Sequence, residues 1–248
     1  MNKIPQKKKI NKMEKKIPNV QYLNDKEMNS LDYEKAIKLD KRTYFQYYFS
    51  LLKKNHLILF TFIPTNDYNL MSLKISLFLV SFSLFINMNT LFFNDKSMHK
   101  IYKNYGEYNI LHQLPQIMYS FLISSIINMI LKYLSLSEGD ILKIKAERNK
   151  KLILKISERI EKCIKIKFSI FFIISILFMI FFWYFISCFC AVYNNTQLIL
   201  FKDTLISFTL SLLYPFGIDL LPGIFRIPSL RAKNKKCLYS FSIMLAFI

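Results

Sequence analysis

FSIFFIISILFMIFFWYFISCFCAVY, residues 168–193, decides the fold class. From Phe168 to Val192 it contains no Lys, Arg, Asp or Glu. A helix rising 1.5 Å per residue needs about 20 apolar residues to cross a hydrocarbon core of ~30 Å, and this run exceeds that. Each central Leu, Ile, Phe or Val favours insertion by about 0.3–0.6 kcal/mol, so the whole run strongly prefers lipid to water.

Three further apolar runs lie outward from it: Ile75–Phe93, Leu114–Leu134 and Thr204–Phe225. Gln116, Asn128 and several serines dilute the second of these. Four spans imply an all-α fold, an integral membrane four-helix bundle. In lipid a lone segment must satisfy its own backbone hydrogen bonds, which a helix does.

The segments between the runs set the expected orientation. Lys and Arg number 15 in residues 1–74, 3 in 94–113, 11 in 132–167, 1 in 194–203 and 5 in 226–248. That alternation predicts both termini and the middle connection on the cytoplasmic side. The net charge of +19 comes from 35 basic and 16 acidic residues, with Lys far ahead of Arg. The basic residues line one side of a membrane, a pattern that points to anionic lipid and away from a nucleic-acid partner.

The expected organisation follows in chain order. Residues 1–42 form a basic, largely disordered tail with a short charged helix over 26–41. Residues 43–73 form an amphipathic, interfacial segment, crowded with Tyr44, Phe45, Tyr47, Tyr48 and Phe49 ahead of Lys53 and Lys54. A surface-lying or re-entrant placement fits it, and so does a helix packed on the protein. The first transmembrane hairpin covers 74–136, a basic cytoplasmic helix 137–167, and the second hairpin 168–225. A basic cytoplasmic tail, 226–248, follows; its apolar end is too short to span. No cleavable signal peptide is expected, because the first forty residues lack an apolar core.

Within the middle connection, Leu142, Ala146, Asn149, Ile153, Ile156, Ile160 and Cys163 step by four and three. That spacing predicts a heptad seam on a helix running unbroken into the third span as a long cytoplasmic extension. A helix lying on anionic headgroups fits the same residues.

Asp219 is the one charged residue inside an expected span, and intramembrane carboxylates are functional candidates. It sits between Pro215 and Gly217 on one side and Pro222 and Gly223 on the other. Proline removes backbone donors, so a broken helix is expected there. Two roles fit Asp219: a cap on the second half-helix, or an ion or proton site. Asn87, Asn89 and Asn128 are candidates to join a polar path or to pack helices together.

The remaining motifs are sparse. Three histidines are scattered, the four cysteines suggest neither disulfides nor zinc, and no phosphate-binding or nucleophile motif occurs. No enzyme, cofactor or metal is therefore expected. Reversible acylation of Cys163 or Cys237 is the one modification their position suggests. The sequon Asn194-Asn195-Thr196 lies too near a span end for efficient glycosylation.

The runs Met88–Asp95 (MNTLFFND), QLPQIMYS, CAVYNNTQ and LLYPFGIDLLPGIFRIPSLR resemble those of a group of multi-pass membrane proteins from protists. That resemblance covers most of residues 31–240 and implies the membrane fold without an activity. A fainter likeness links the spans to the membrane helices of large polycystins, where Thr90 stands in place of an Ala. It implies membership of a channel complex and carries no catalytic residue. The expected function is a non-enzymatic assembly or channel-associated subunit with protein partners or a homo-oligomeric state. The alternative is an ion channel or transporter using the broken fourth helix.

Overall fold

The computed structural model describes residues 23–93, 95–103, 105–147, 150–232 and 235–246. Among these residues every regular element is a helix. Two short helices open the described chain, α1 (Asp25–Asn29) and α2 (Tyr33–Leu39). They replace the single charged helix expected over 26–41. A capping box starts α1: Asn24 accepts from the Glu27 N–H while Glu27 accepts from the Asn24 N–H.

Next come α3 (Tyr44–Asn55) and α4 (Leu57–Phe62). Thr43 and Gln46 form a second capping box, and His56 Nδ1 accepts from the Leu59 N–H to start α4. Tyr47, Ser50, Leu51 and Leu52 are buried on one face of α3, while Phe45 and Phe49 stay exposed on the other.

The first span is α5 (Met71–Phe92), followed by α6 (Asp95–Lys103) and the second span, α7 (Ile110–Ser135). Then come α8 (Glu138–Ala146) and α9 (Lys150–Val192), the latter containing the third span. The fourth span is α10 (Gln197–Ile218) and α11 (Leu220–Arg231) end to end, and α12 (Lys236–Leu245) packs back on α11. Four helices are thus long and apolar enough to cross a membrane. The exposed side chains agree: Ile173, Ile176, Leu177, Ile180 and Trp183 of α9 are all more than half exposed. A continuous apolar surface of that size suits lipid.

Within the bundle, α5 touches the other three spans. At the basic end Phe60, Leu73, Leu77, Val80, Leu131 and Phe171 form one core. At the opposite end Phe93, Met98, Ile101, Phe189, Ile199 and Leu200 form another. In a bilayer, lipid tails would be as apolar as these side chains, so packing and polar contacts would have to hold such helices together.

Two expectations are corrected. The middle connection is not one unbroken helix: Glu147 is extended (φ −80°, ψ 143°) and separates α8 from α9. Leu142 and Ala146 therefore lie on α8, Ile153, Ile156 and Ile160 on α9, and Asn149 lies outside the described residues. Cys163, the last seam position, is exposed. The physical cause is a competing set of contacts. Lys167 Nζ donates to Asp140 Oδ2 (3.0 Å) and the Leu136 carbonyl (2.9 Å), and Lys145 Nζ reaches Glu27 at 2.8 Å. These hold α8 against α9 and α1.

The fourth span also begins earlier than expected. Only a tight turn joins α9 to α10, with Asn195 in the left-handed region (φ 63°) that Asn tolerates. Thr196 of the sequon is buried there and donates to the Tyr193 carbonyl (2.8 Å). Helix α10 consequently carries Lys202 and Asp203, so Asp219 is not the only charge within a span.

Candidate functional site

The joint of the fourth span positions Asp219. Pro215 and Pro222 lack the N–H groups that would bond carbonyls one turn earlier. Asp219 occupies a helical turn conformation (φ −66°, ψ −11°), and its N–H donates to the Pro215 carbonyl (3.0 Å). Its side chain makes no capping bond, so the capping role is not realised. Tyr48 and Tyr44 donate their phenols to the carbonyls of Phe216 (3.2 Å) and Leu220 (3.0 Å), on either side of the joint. Gly223 serves close approach and not the break: a Cβ there would meet the Tyr44 ring at 2.7 Å. Nothing crowds Gly217.

Asp219 is 3% exposed. Asn55, at the end of α3, donates to its Oδ1 at 2.7 Å, whereas Oδ2 is buried without a hydrogen-bond partner. A cleft of about 340 Å³ opens beside it, lined on its polar side by Lys54, Asn55, Ser81, Asn128, Lys132 and Asp219. Asn128 Oδ1 and Ser81 Oγ are likewise buried and unpartnered. Lys132 Nζ donates to the Lys54 carbonyl (2.9 Å) and stands 5.4 Å from the centre of the Phe60 ring.

Lys54 also lines a second cavity of about 270 Å³, shared with Lys26, Lys53, Asp67 and Glu138. Burial, then the positive charge of Lys26, pulls the Lys54 ammonium below its ordinary value, while Glu138 and Asp219 act the other way. Burial pushes the Glu138 carboxyl up. Lys54 thus lines both the polar chamber at the basic end and the cleft.

No family model, curated protein or solved structure matches the chain.

A second polar cluster lies nearer the opposite end of the bundle. Asp203 is fully buried, and accepts from the Tyr108 hydroxyl (2.7 Å) and from Gln116 Nε2 (3.3 Å). Asn89 Nδ2 donates to Ser207 Oγ (2.7 Å) and to the Phe85 carbonyl (2.9 Å), and Gln116 also reaches the Asn89 carbonyl (3.3 Å). Burial, followed by the Asp203 hydrogen bond and charge, pushes the Tyr108 phenol well above its ordinary value. The two aspartates are sixteen positions apart, roughly 24 Å along one helix.

The four expected polar residues are therefore divided. Asn128 lies with Asp219 in the cleft, Asn89 lies with Asp203, and Asn87 donates to the Ser83 carbonyl of its own helix (2.7 Å). Asn55, Lys132, Gln116, Tyr108 and Asp203 were not legible as site residues. Lys202 beside Asp203 marks that pair as loop when only net apolarity is scored, and this hid the carboxylate. Among the described residues no three His, Cys, Asp or Glu side chains converge as a metal site.

Proposed function

We propose that the chain is a multi-pass integral membrane carrier, in which Asp219 anchors the positively charged part of a small solute. The supporting observation is the unpartnered Asp219 Oδ2 beside a cleft, at the joint of a discontinuous span. Such joints place carboxylates and backbone dipoles where a solute can reach them. The alternation of basic residues supports a cytoplasmic placement for both termini and for the chamber lined by Lys26, Lys53 and Lys54. The absence of a reactive constellation in the sequence supports a non-enzymatic role.

Cysteine accessibility tests this reading without knowledge of the solute. Ser81→Cys and Asn128→Cys are placed in a background lacking the four native cysteines and reconstituted in sealed vesicles. A membrane-impermeant thiol reagent is expected to label both positions from the basic face and, in part, from the opposite face. Labelling confined to one face under every condition would remove the carrier.

A second reading is a channel-associated assembly subunit. It is favoured by α9, whose apolar stretch is the least covered of the four spans. A photoreactive residue at Ile176 would capture a neighbouring protein if that face meets one, and only lipid if it does not.

A further inference from the structure

We infer that the solute anchored at Asp219 is a zwitterion carrying a primary ammonium close to an anionic oxygen group. The inference rests on the carrier reading above and deepens it by naming the ligand chemistry. Three observations carry it.

The first is the set of vacant acceptors. Asp219 Oδ2 and Asn128 Oδ1 have no donor, and Ser81 Oγ has no partner of either kind. All three residues line one cleft. A primary ammonium brings N–H donors and no acceptor, the chemistry these groups lack. A buried carboxylate oxygen left without a partner is costly, so a donor seated there is strongly retained.

The second is the charge balance. The cleft is lined by one carboxylate, Asp219, and by two lysines, Lys54 and Lys132. Among the described residues Lys132 forms no ion pair; it donates to a backbone carbonyl and faces the Phe60 ring. A bare metal cation drawn to Asp219 would meet two positive charges in a poorly solvated site. A ligand that brings its own anionic oxygens beside the ammonium answers both signs, with Lys132 taking the anionic end.

The third is size and wall chemistry. A volume of about 340 Å³ suits an amino acid or a lipid headgroup, and Leu57, Leu77, Phe85, Met129 and Ile218 form the apolar remainder of the wall. The shared chemistry, ammonium beside carboxylate or phosphate, is found in free amino acids and in ethanolamine-phosphate headgroups. The experiment separates these sources.

Binding is measured on the purified full chain, by calorimetry for soluble ligands and by native mass spectrometry from nanodiscs for lipids. The probes are glycine, ethanolamine phosphate, choline phosphate, rubidium and methylammonium, with phosphatidylethanolamine and phosphatidylcholine as the lipid pair. Ethanolamine phosphate is expected to bind at least tenfold more tightly than choline phosphate, because trimethylation removes all three N–H donors. If the source is a lipid, phosphatidylethanolamine is retained over phosphatidylcholine and glycine is weak. If the source is a free amino acid, glycine binds and the two lipids are not distinguished. Asp219→Asn and Lys132→Met should each weaken binding at least tenfold. The ligand series is run on the unaltered protein, so a folding defect in either variant cannot decide the outcome.

Equal binding of ethanolamine phosphate and choline phosphate would overturn the inference, as would binding unaffected by both substitutions. Binding of rubidium or methylammonium alone, with the thiol labelling as expected, would overturn the zwitterion and leave the carrier standing. No binding of any probe, with labelling from one face only, would remove both.

Discussion

Asp40 Oδ2 lies 2.9 Å from Nη2 of Arg226, and neither side chain has any contact with solvent. The Arg226 guanidinium also donates to the carbonyls of Asn29 (3.1 Å) and Met28 (2.9 Å). Its carbon stands 4.8 Å and 4.9 Å from the ring centres of Tyr47 and Tyr239. Arg42 donates through Nε to the other Asp40 oxygen at 2.8 Å. One arginine of the fourth span therefore clamps α1, α2, α3 and α12 together at the basic end. A buried charge left without its partner is destabilising by about 3–5 kcal/mol. Arg226→Met or Asp40→Ala should release the N-terminal helices, seen as rapid proteolysis within residues 23–42, while the four spans remain folded in detergent.

The same pair sets a pH dependence. Burial alone would push the Asp40 carboxyl up, but the hydrogen bonds and charges of Arg42 and Arg226 outweigh it and hold it below the usual range. The folded-state pKa is thus depressed relative to the unfolded chain. The resulting stabilisation is complete above the ordinary aspartate range and is lost as pH falls through the lowered value. Protection of α1 and α2 should be flat from neutrality to the ordinary carboxylate range and decline only below it. Hydrogen exchange across that window measures this; a decline centred near neutrality would contradict the clamp.

Gly223 and Tyr44 make a separate prediction. A Cβ at position 223 would come within 2.7 Å of the Tyr44 ring, so Gly223→Ala must push α3 off α11. Overpacking of this kind costs about 1–3 kcal/mol. Tyr44→Ala on the same chain should recover most of that loss, because the obstructing ring is gone. A thermal unfolding cycle on the two single variants and the double variant reads the coupling.

At the opposite end, Asp203→Leu leaves the Tyr108 hydroxyl without its acceptor and removes one of the two acceptors of Gln116 Nε2, the Asn89 carbonyl remaining. The expected loss is about 1–3 kcal/mol, the penalty for buried unsatisfied groups. Tyr108→Phe removes only one donor and should cost less, about 0.5–1.5 kcal/mol. Asp203→Asn keeps an acceptor oxygen and should fall between the parent and Asp203→Leu. An inverted order in detergent unfolding would show that Asp203 is not a packing acceptor.

The α8 segment supplies a fifth test. Lys167 and Asp140 are both mostly covered and meet at 3.0 Å. Lys167→Ala also removes the donor to the Leu136 carbonyl. The loss should be roughly 1 kcal/mol, read as about fivefold faster amide exchange in α8 with little change in α9.

Composition and periodicity determined the helical class and the four helices long and apolar enough to cross a membrane. These are properties of consecutive residues: an uncharged run such as Phe168–Val192 prefers lipid wherever the rest of the chain lies. The same local reading located Asp219, because a carboxylate among apolar neighbours is conspicuous. It placed the fourth helix seven residues too late and passed over Asp203, since hydropathy averages a Lys–Asp pair into a loop. It also extended the 142–163 heptad through Glu147, because a seven-residue repeat carries no information about Lys167 reaching back to Asp140.

What only the tertiary structure decided is which polar groups are satisfied. Asn55 donates to Asp219 across 164 positions, and Asp40 meets Arg226 across 186. Burial and hydrogen bonding are relations between distant segments brought together by packing. The chain order therefore cannot show that one oxygen of Asp219 is held by Asn55 while the other has no partner.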